Sequence, residues 1–138
     1  MELMLACLAL NIYWESRNQG IVGQLAVGQV VMNRVADKRY PDTPCKVVMQ
    51  GPVYRSGYPV RHRCQFSWYC DGKSDKVREH KSYERAYYLA QVITEGRYAD
   101  VTQGATHYHA SYVFPDWIES KTFTTQIGDH LFYRWETR

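Results

Sequence analysis

The 138-residue sequence has no apolar run approaching the roughly 18 residues that a helix needs to cross a bilayer, so no membrane span is expected. It has no internal repeat, no low-complexity segment and no linker, which leaves one domain over residues 1–138 as the expectation. At that length roughly two thirds of the unfolded surface is buried on folding, enough for a real core without a partner copy, and a monomer is expected. Strong charge is also missing. Lys+Arg 17 against Asp+Glu 14 give a formal +3, too weak to argue for a nucleic-acid partner, though it suits contact with an anionic polymer. There is no CxxC, so a zinc ribbon is not expected. The four cysteines, Cys7, Cys45, Cys64 and Cys70, allow three complete pairings or four free buried thiols, and the sequence does not choose. The apolar run Leu3 to Leu10 has no basic region before it and no small-residue cleavage site after it. It reads as a buried helix, in a chain without a secretion signal of its own.

Aromatic residues are in excess: 12 Tyr, 4 Trp and 4 Phe. Tyr and Trp join an apolar face to a polar tip, useful in a core and against sugar rings. Hydrophobic periodicity predicts helices over residues 4–17, 23–36 and 82–95, the first closed by Gly20 as C-cap and the third opened by Ser82 as N-cap. In the second, Asn33 and Arg34 are expected to face out. "CKVVMQG" reads as a short helix or strand. Residues 52–74 are loop-rich, with "FSWYC" extended, and "ATHYHASYV" reads as a strand. "TTQIGDHLFYRW" reads as a second strand or hairpin. The expected class is α+β, mainly helical, with a small β element.

One residue breaks its local pattern. On a helical wheel Met4, Leu8 and Ile12 form a ridge, and Glu15 projects from the middle of that apolar face. Glu95, by contrast, falls opposite the stripe of its helix and reads as a solvated residue. A carboxylate is almost never buried without a partner or a purpose. Glu15 either pairs with Arg17 or Arg34, or sits at a cleft floor where burial raises its pKa and lets it donate a proton. Glycoside cleavage needs such an acid on the leaving oxygen.

The segments "CLALNIYWESRNQGIVGQLAVGQVVMNRV", "YPDTPCKVVMQG" and "CQFSWYCDG", with "ADVTQGATHYHA", Trp117 and "IGDHLFY" later, resemble the spore cortex-lytic (SleB-type) cell wall hydrolase family. The resemblance runs from about Cys7 to Tyr133. Ser16 stands where that family often has Ala, and "THYHA" departs from its Tyr-rich variants. The resemblance implies a lysozyme-like fold, related to resuscitation-promoting factors and lytic transglycosylases. It implies cleavage of the β-1,4 bond between N-acetylmuramic acid and N-acetylglucosamine in peptidoglycan glycan strands, with Glu15 as the catalytic glutamate. It also implies no cofactor, and action at the bacterial cell wall, periplasmic or extracytoplasmic. The absence of a signal and the short single domain suit a phage lysin released through a holin, and a mature bacterial domain fits too.

Other candidates follow by residue type. Gln65 and Ser67 can hydrogen-bond sugar hydroxyl and N-acetyl groups, and Trp68 or Tyr69 can stack on a ring. Gln24 is either a cleft residue or a helix-start residue. Tyr108 lies between His107 and His109 on the predicted strand and points away from both; it resembles a family position near the cleft, which implies that it holds Glu15 or the substrate. A retaining hydrolase would need a second carboxylate, for which Asp71, Asp75, Asp100 and Asp116 are available but unmarked. His107, His109 and His130 lack the third ligand and spacing of a zinc site, so no metal is expected. The competing classes are a non-catalytic peptidoglycan-binding module and a zinc peptidase.

Overall fold

The structure is a computed structural model that describes residues 2–136. Helix α1 (Glu2–Ser16) runs through the centre, packed against α2 (Ile21–Ala36), α3 (Pro44–Val48) and α4 (His80–Thr94). Its buried residues, among them Leu5, Leu8, Ala9, Ile12 and Tyr13, face several directions. That explains why the sequence of α1 is apolar nearly all round. Helices α1, α2 and α4 meet at Gly28, where an added Cβ would stand 2.5 Å from Ile93 Cδ1 and 2.8 Å from Ile12 Cδ1.

Three local expectations are corrected here. Gly20 does not end α1 as a C-cap; it has extended backbone and is the N-cap of α2, which starts at Ile21, before Gly23. Arg34 does not face out: it is 5% exposed, and Asn33 is half-buried, donating to Asp100 Oδ2 and to the Ala105 carbonyl, each at 2.8 Å. The reason is tertiary. The second face of α2, carrying Ala26 and Val30, packs with Ala105 and Phe132 on the sheet side, so this helix is covered on two sides. Ser82 lies inside α4 rather than capping it. The chain entering α4 is held instead by the Tyr13 hydroxyl, which accepts from the backbone N–H of Arg78 (3.2 Å) and of Glu79 (3.1 Å). Glu95 is exposed and pairs with Arg97 at 2.9 Å, as its place on the wheel suggested.

"CKVVMQG" contributes the helix α3, with Thr43 accepting from the Lys46 N–H at 3.2 Å and Pro44 in the first turn, where its missing N–H costs nothing. All four cysteines are bridged: Cys7–Cys45 ties α1 to α3, and Cys64–Cys70 closes a short loop. The second bridge corrects the extended reading of "FSWYC". Its Cα atoms are 6.1 Å apart, whereas six extended residues span roughly 20 Å, so residues Ser67–Cys70 coil into a 3-10 turn.

The sheet is antiparallel with order β1–β3–β2, from β1 (His107–Ala110), β2 (Thr122–Ile127) and β3 (His130–Arg134). Tyr108 lies opposite Phe132. The final segment is thus a hairpin, turning at Gly128–Asp129. Gly128 has φ +58°, and a Cβ there would lie 2.5 Å from Gln19 Oε1, so both the turn and the close approach call for glycine. Mainly helical with a small sheet, the fold is α+β as expected.

Candidate active site

Glu15 is the penultimate residue of α1, half-buried where that helix reaches the sheet. Two hollows, of about 430 and 460 Å³, meet at it and share Glu15, Ala110, Tyr112 and His130 in their walls. The Tyr108 hydroxyl donates a hydrogen bond to Glu15 Oε1 across 93 residues of sequence. Neither ion pair considered for Glu15 forms. Arg17 pairs with Glu79 at 3.3 Å, and Arg34 Nε donates to the Thr106 carbonyl at 2.7 Å while its guanidinium lies over Tyr40 and Phe66. Desolvation raises the pKa of Glu15 above the ordinary carboxylate range; the hydrogen bond from Tyr108 and the positive charge of Arg34 oppose it without reversing it. Burial and the charge of Glu15 push the Tyr108 phenol well above its usual value, so it stays a neutral donor.

Of the other sequence candidates, Gln65 and Ser67 stand exposed in the wall of the larger hollow with Tyr108. Trp68 does not join them. It is 9% exposed, packs in the core, and donates from Nε1 to Asn11 Oδ1 at 2.8 Å; its remaining exposure lies in the wall of a third hollow. Gln24 lies in the wall of neither hollow at Glu15. It is buried, and its amide donates to the Gln19 carbonyl at 3.0 Å, which holds the α1–α2 turn. Asp71 and Asp75 line the third hollow. Asp100 accepts from Thr102 and Gly104 and shapes its own loop, and Asp116 is exposed outside both hollows at Glu15.

Sequence reasoning gave no site role to the wall residues Asp129 and Tyr112, and weighed His130 only as a metal ligand. Asp129 lines the smaller hollow with Glu15, held by Gln19, whose Nε2 donates to Asp129 Oδ2 and whose Oε1 accepts from the Asp129 N–H, both at 3.1 Å. Its sequence signal, Gly-Asp, reads only as a turn. Tyr112 is 78% exposed and belongs to both hollows; its spacing of four from Tyr108 on an alternating segment was the available signal. His130 lies in both walls and packs on Tyr108 at 5.0 Å between ring centres. As for the histidine cluster, His109 has both ring nitrogens in hydrogen bonds, to the Ala110 carbonyl (2.8 Å) and the Tyr133 hydroxyl (2.9 Å). Burial, with Arg34, Lys121 and Arg39 nearby, pushes His107 down to about 4. Among the described residues no three metal-ligating side chains come together.

Residues 18–133 match the family model described as cell wall hydrolase. The matched stretch begins at residue 18 and does not include Glu15. No curated protein matches the chain. Two solved structures are similar over nearly its whole length. The catalytic domain of the germination-specific lytic transglycosylase SleB from Bacillus anthracis has 24% identity and a TM-score of 0.74, over 97% of this chain and 96% of that one. The catalytic domain of the Bacillus cereus SleB protein has 22% identity and a TM-score of 0.69, over 97% and 91%. At these identities the likeness establishes the fold, which is lysozyme-like.

Proposed function

Because the chain belongs to the cell wall hydrolase family and is a peptidoglycan-degrading enzyme, we propose that Glu15 is its single catalytic acid and base. The bond cut is the β-1,4 link from N-acetylmuramic acid to N-acetylglucosamine, and the product is a 1,6-anhydro-muramic acid end. The observation that carries this reading is a desolvated glutamate at the junction of two hollows, held by a tyrosine rather than by an arginine.

Glu15 enters the reaction protonated, which its raised pKa favours. With Oε1 engaged by Tyr108, Oε2 carries the proton to the glycosidic oxygen. The C1–O bond breaks, the proton leaves with the departing N-acetylglucosamine hydroxyl, and oxocarbenium character develops at C1 of muramic acid. The C6 hydroxyl of the same sugar then attacks C1, and its proton goes to the Glu15 carboxylate, which restores the acid. No water enters and no second carboxylate is required. Gln65, Ser67 and Tyr112 face the space where the flanking sugars lie, the first two by hydrogen bonding and the third by stacking.

A second reading, hydrolysis with a second carboxylate, has a candidate in Asp129, which shares a wall with Glu15. The two readings part on mutation. Glu15→Gln removes the transferable proton while keeping shape, and is expected to cut lysis of purified cell walls by at least about a hundredfold. Asp129→Asn is expected to retain activity within a few fold under the transglycosylase reading. Equal collapse of both variants, each folded, would favour the hydrolase. Activity of Glu15→Gln near wild type would remove Glu15 as the acid.

A further inference from the structure

A third hollow, of about 410 Å³, lies beside the sugar groove and shares Trp14 and Arg17 with the hollow at Glu15. Its volume is in the range of sites that hold a small ligand. Its lining differs in kind from that of the groove. Three cations, Arg17, Lys73 and Arg78, and three anions, Asp71, Asp75 and Glu79, surround it. The glycan's sugar rings carry hydroxyl and N-acetyl groups, all neutral, and give no reason for so many charges around one space. The peptide that branches from muramic acid does: it carries carboxylates and, where it is not cross-linked, an amine. We propose that this hollow receives the peptide stem of the muramic acid at the cleaved bond. The proposal rests on the glycosidase reading above.

The charges are arranged for an amphoteric guest. Arg17 is already paired with Glu79 at 3.3 Å and bonded to the Tyr13 hydroxyl at 2.8 Å. The Lys73 ammonium and the Arg78 guanidinium have no carboxylate within ion-pair distance among the described residues, and so are open to a stem carboxylate. Asp75, though exposed, is disfavoured as an anion by partial desolvation and by the neighbouring charge of Asp71, a pair that a bound ammonium would relieve. The wall is also anchored to the catalytic helix: Trp14 Nε1 donates to the Asp75 carbonyl at 3.2 Å. Trp14 precedes Glu15 in α1 and lines both hollows, so the two spaces adjoin at this wall.

The test compares stem-bearing glycan strands with strands of the same source stripped of peptide by an amidase. Wild-type enzyme should cleave the stem-bearing strands with kcat/KM at least about tenfold higher, as expected when charged groups find partners. The double variant Lys73→Ala/Arg78→Ala should lose that preference while matching wild type on stripped strands. Equal wild-type rates on both substrates would overturn the proposal. So would an equal loss by the variant on both, which would mean the hollow holds sugar or supports the fold. A second measurement is independent of catalysis. Free stem tetrapeptide titrated into the Glu15→Gln protein should shift the indole N–H resonances of Trp14 and Trp68, and no shift at millimolar peptide would overturn the stem site. If Glu15→Gln proves active while the peptide still binds, Glu15 is not the acid and the stem site stands.

Discussion

At Glu15 desolvation raises the pKa while Tyr108 and Arg34 lower it, and on the proposed mechanism their balance sets the usable pH range. Only the protonated acid donates, so activity is expected to survive above the ordinary carboxylate range and fall on the alkaline side as Glu15 ionises. Tyr108→Phe removes a group that favours the ionised form. The alkaline limb of kcat should therefore move to higher pH, with a loss of kcat of about tenfold from the poorly oriented carboxyl. A limb that moves down or stays put would show that Tyr108 does not act on Glu15. The same shift has a stability consequence. A carboxyl whose folded pKa is raised gives its full stability below its unfolded pKa and loses it as pH rises through the folded one. Gln does not ionise, so Glu15→Gln should be more stable relative to wild type at pH 8 than at pH 5 in thermal melts. A mutant destabilised more at pH 8 would mark Glu15 as a structural charge partner. Glu15 was legible because one acid stood on an apolar ridge. The burial of Arg34 was not, because helical periodicity sees a helix and not the sheet that covers its second face.

Helices α1 and α3 are short of mutual sequence contacts, being 38 residues apart at Cys7 and Cys45, yet the bridge fixes one against the other. By loop-closure entropy it stabilises by about 4 kcal/mol, against about 2 kcal/mol for the six-residue Cys64–Cys70 loop. Replacing Cys7 and Cys45 with Ala should therefore lower Tm more than replacing Cys64 and Cys70, as calorimetry of the two double variants would show. The reverse order would mean that the short loop carries stability beyond its closure. The same elements show where sequence reading stops. The long helices were plain from their apolar spacing, while the last segment read as a second strand or a hairpin and the structure makes it a hairpin turning at Gly128–Asp129. The start of α4 was misjudged because its entry is held by Tyr13, a tertiary partner, and not by a local serine. The turn at Ser67–Cys70 was misjudged because a disulfide overrides the strand propensity of Phe, Trp and Tyr.

Across the whole molecule the candidate site is assembled from the end of α1, the strand β1 with the loop after it, the hairpin turn and the disulfide loop. Glu15 and Tyr108 were singled out with the help of the resemblance, Gln65 and Ser67 by residue type. Neither signal gave a role to Asp129 or Tyr112, whose positions depend on how the hairpin and the loop fold back over α1. A machinery of one glutamate and neutral donors also predicts that activity on cell walls survives EDTA. Loss on chelation, restored by zinc, would point instead to a peptidase at the histidines. Whether one glutamate cuts the glycan with the sugar's own hydroxyl as nucleophile is decided by mass spectrometry of the muropeptides released from purified peptidoglycan. Anhydro-muramic acid ends are expected, lighter by one water than hydrolysed ends and resistant to borohydride reduction. Reducible muramic acid ends carrying the extra water would contradict that mechanism.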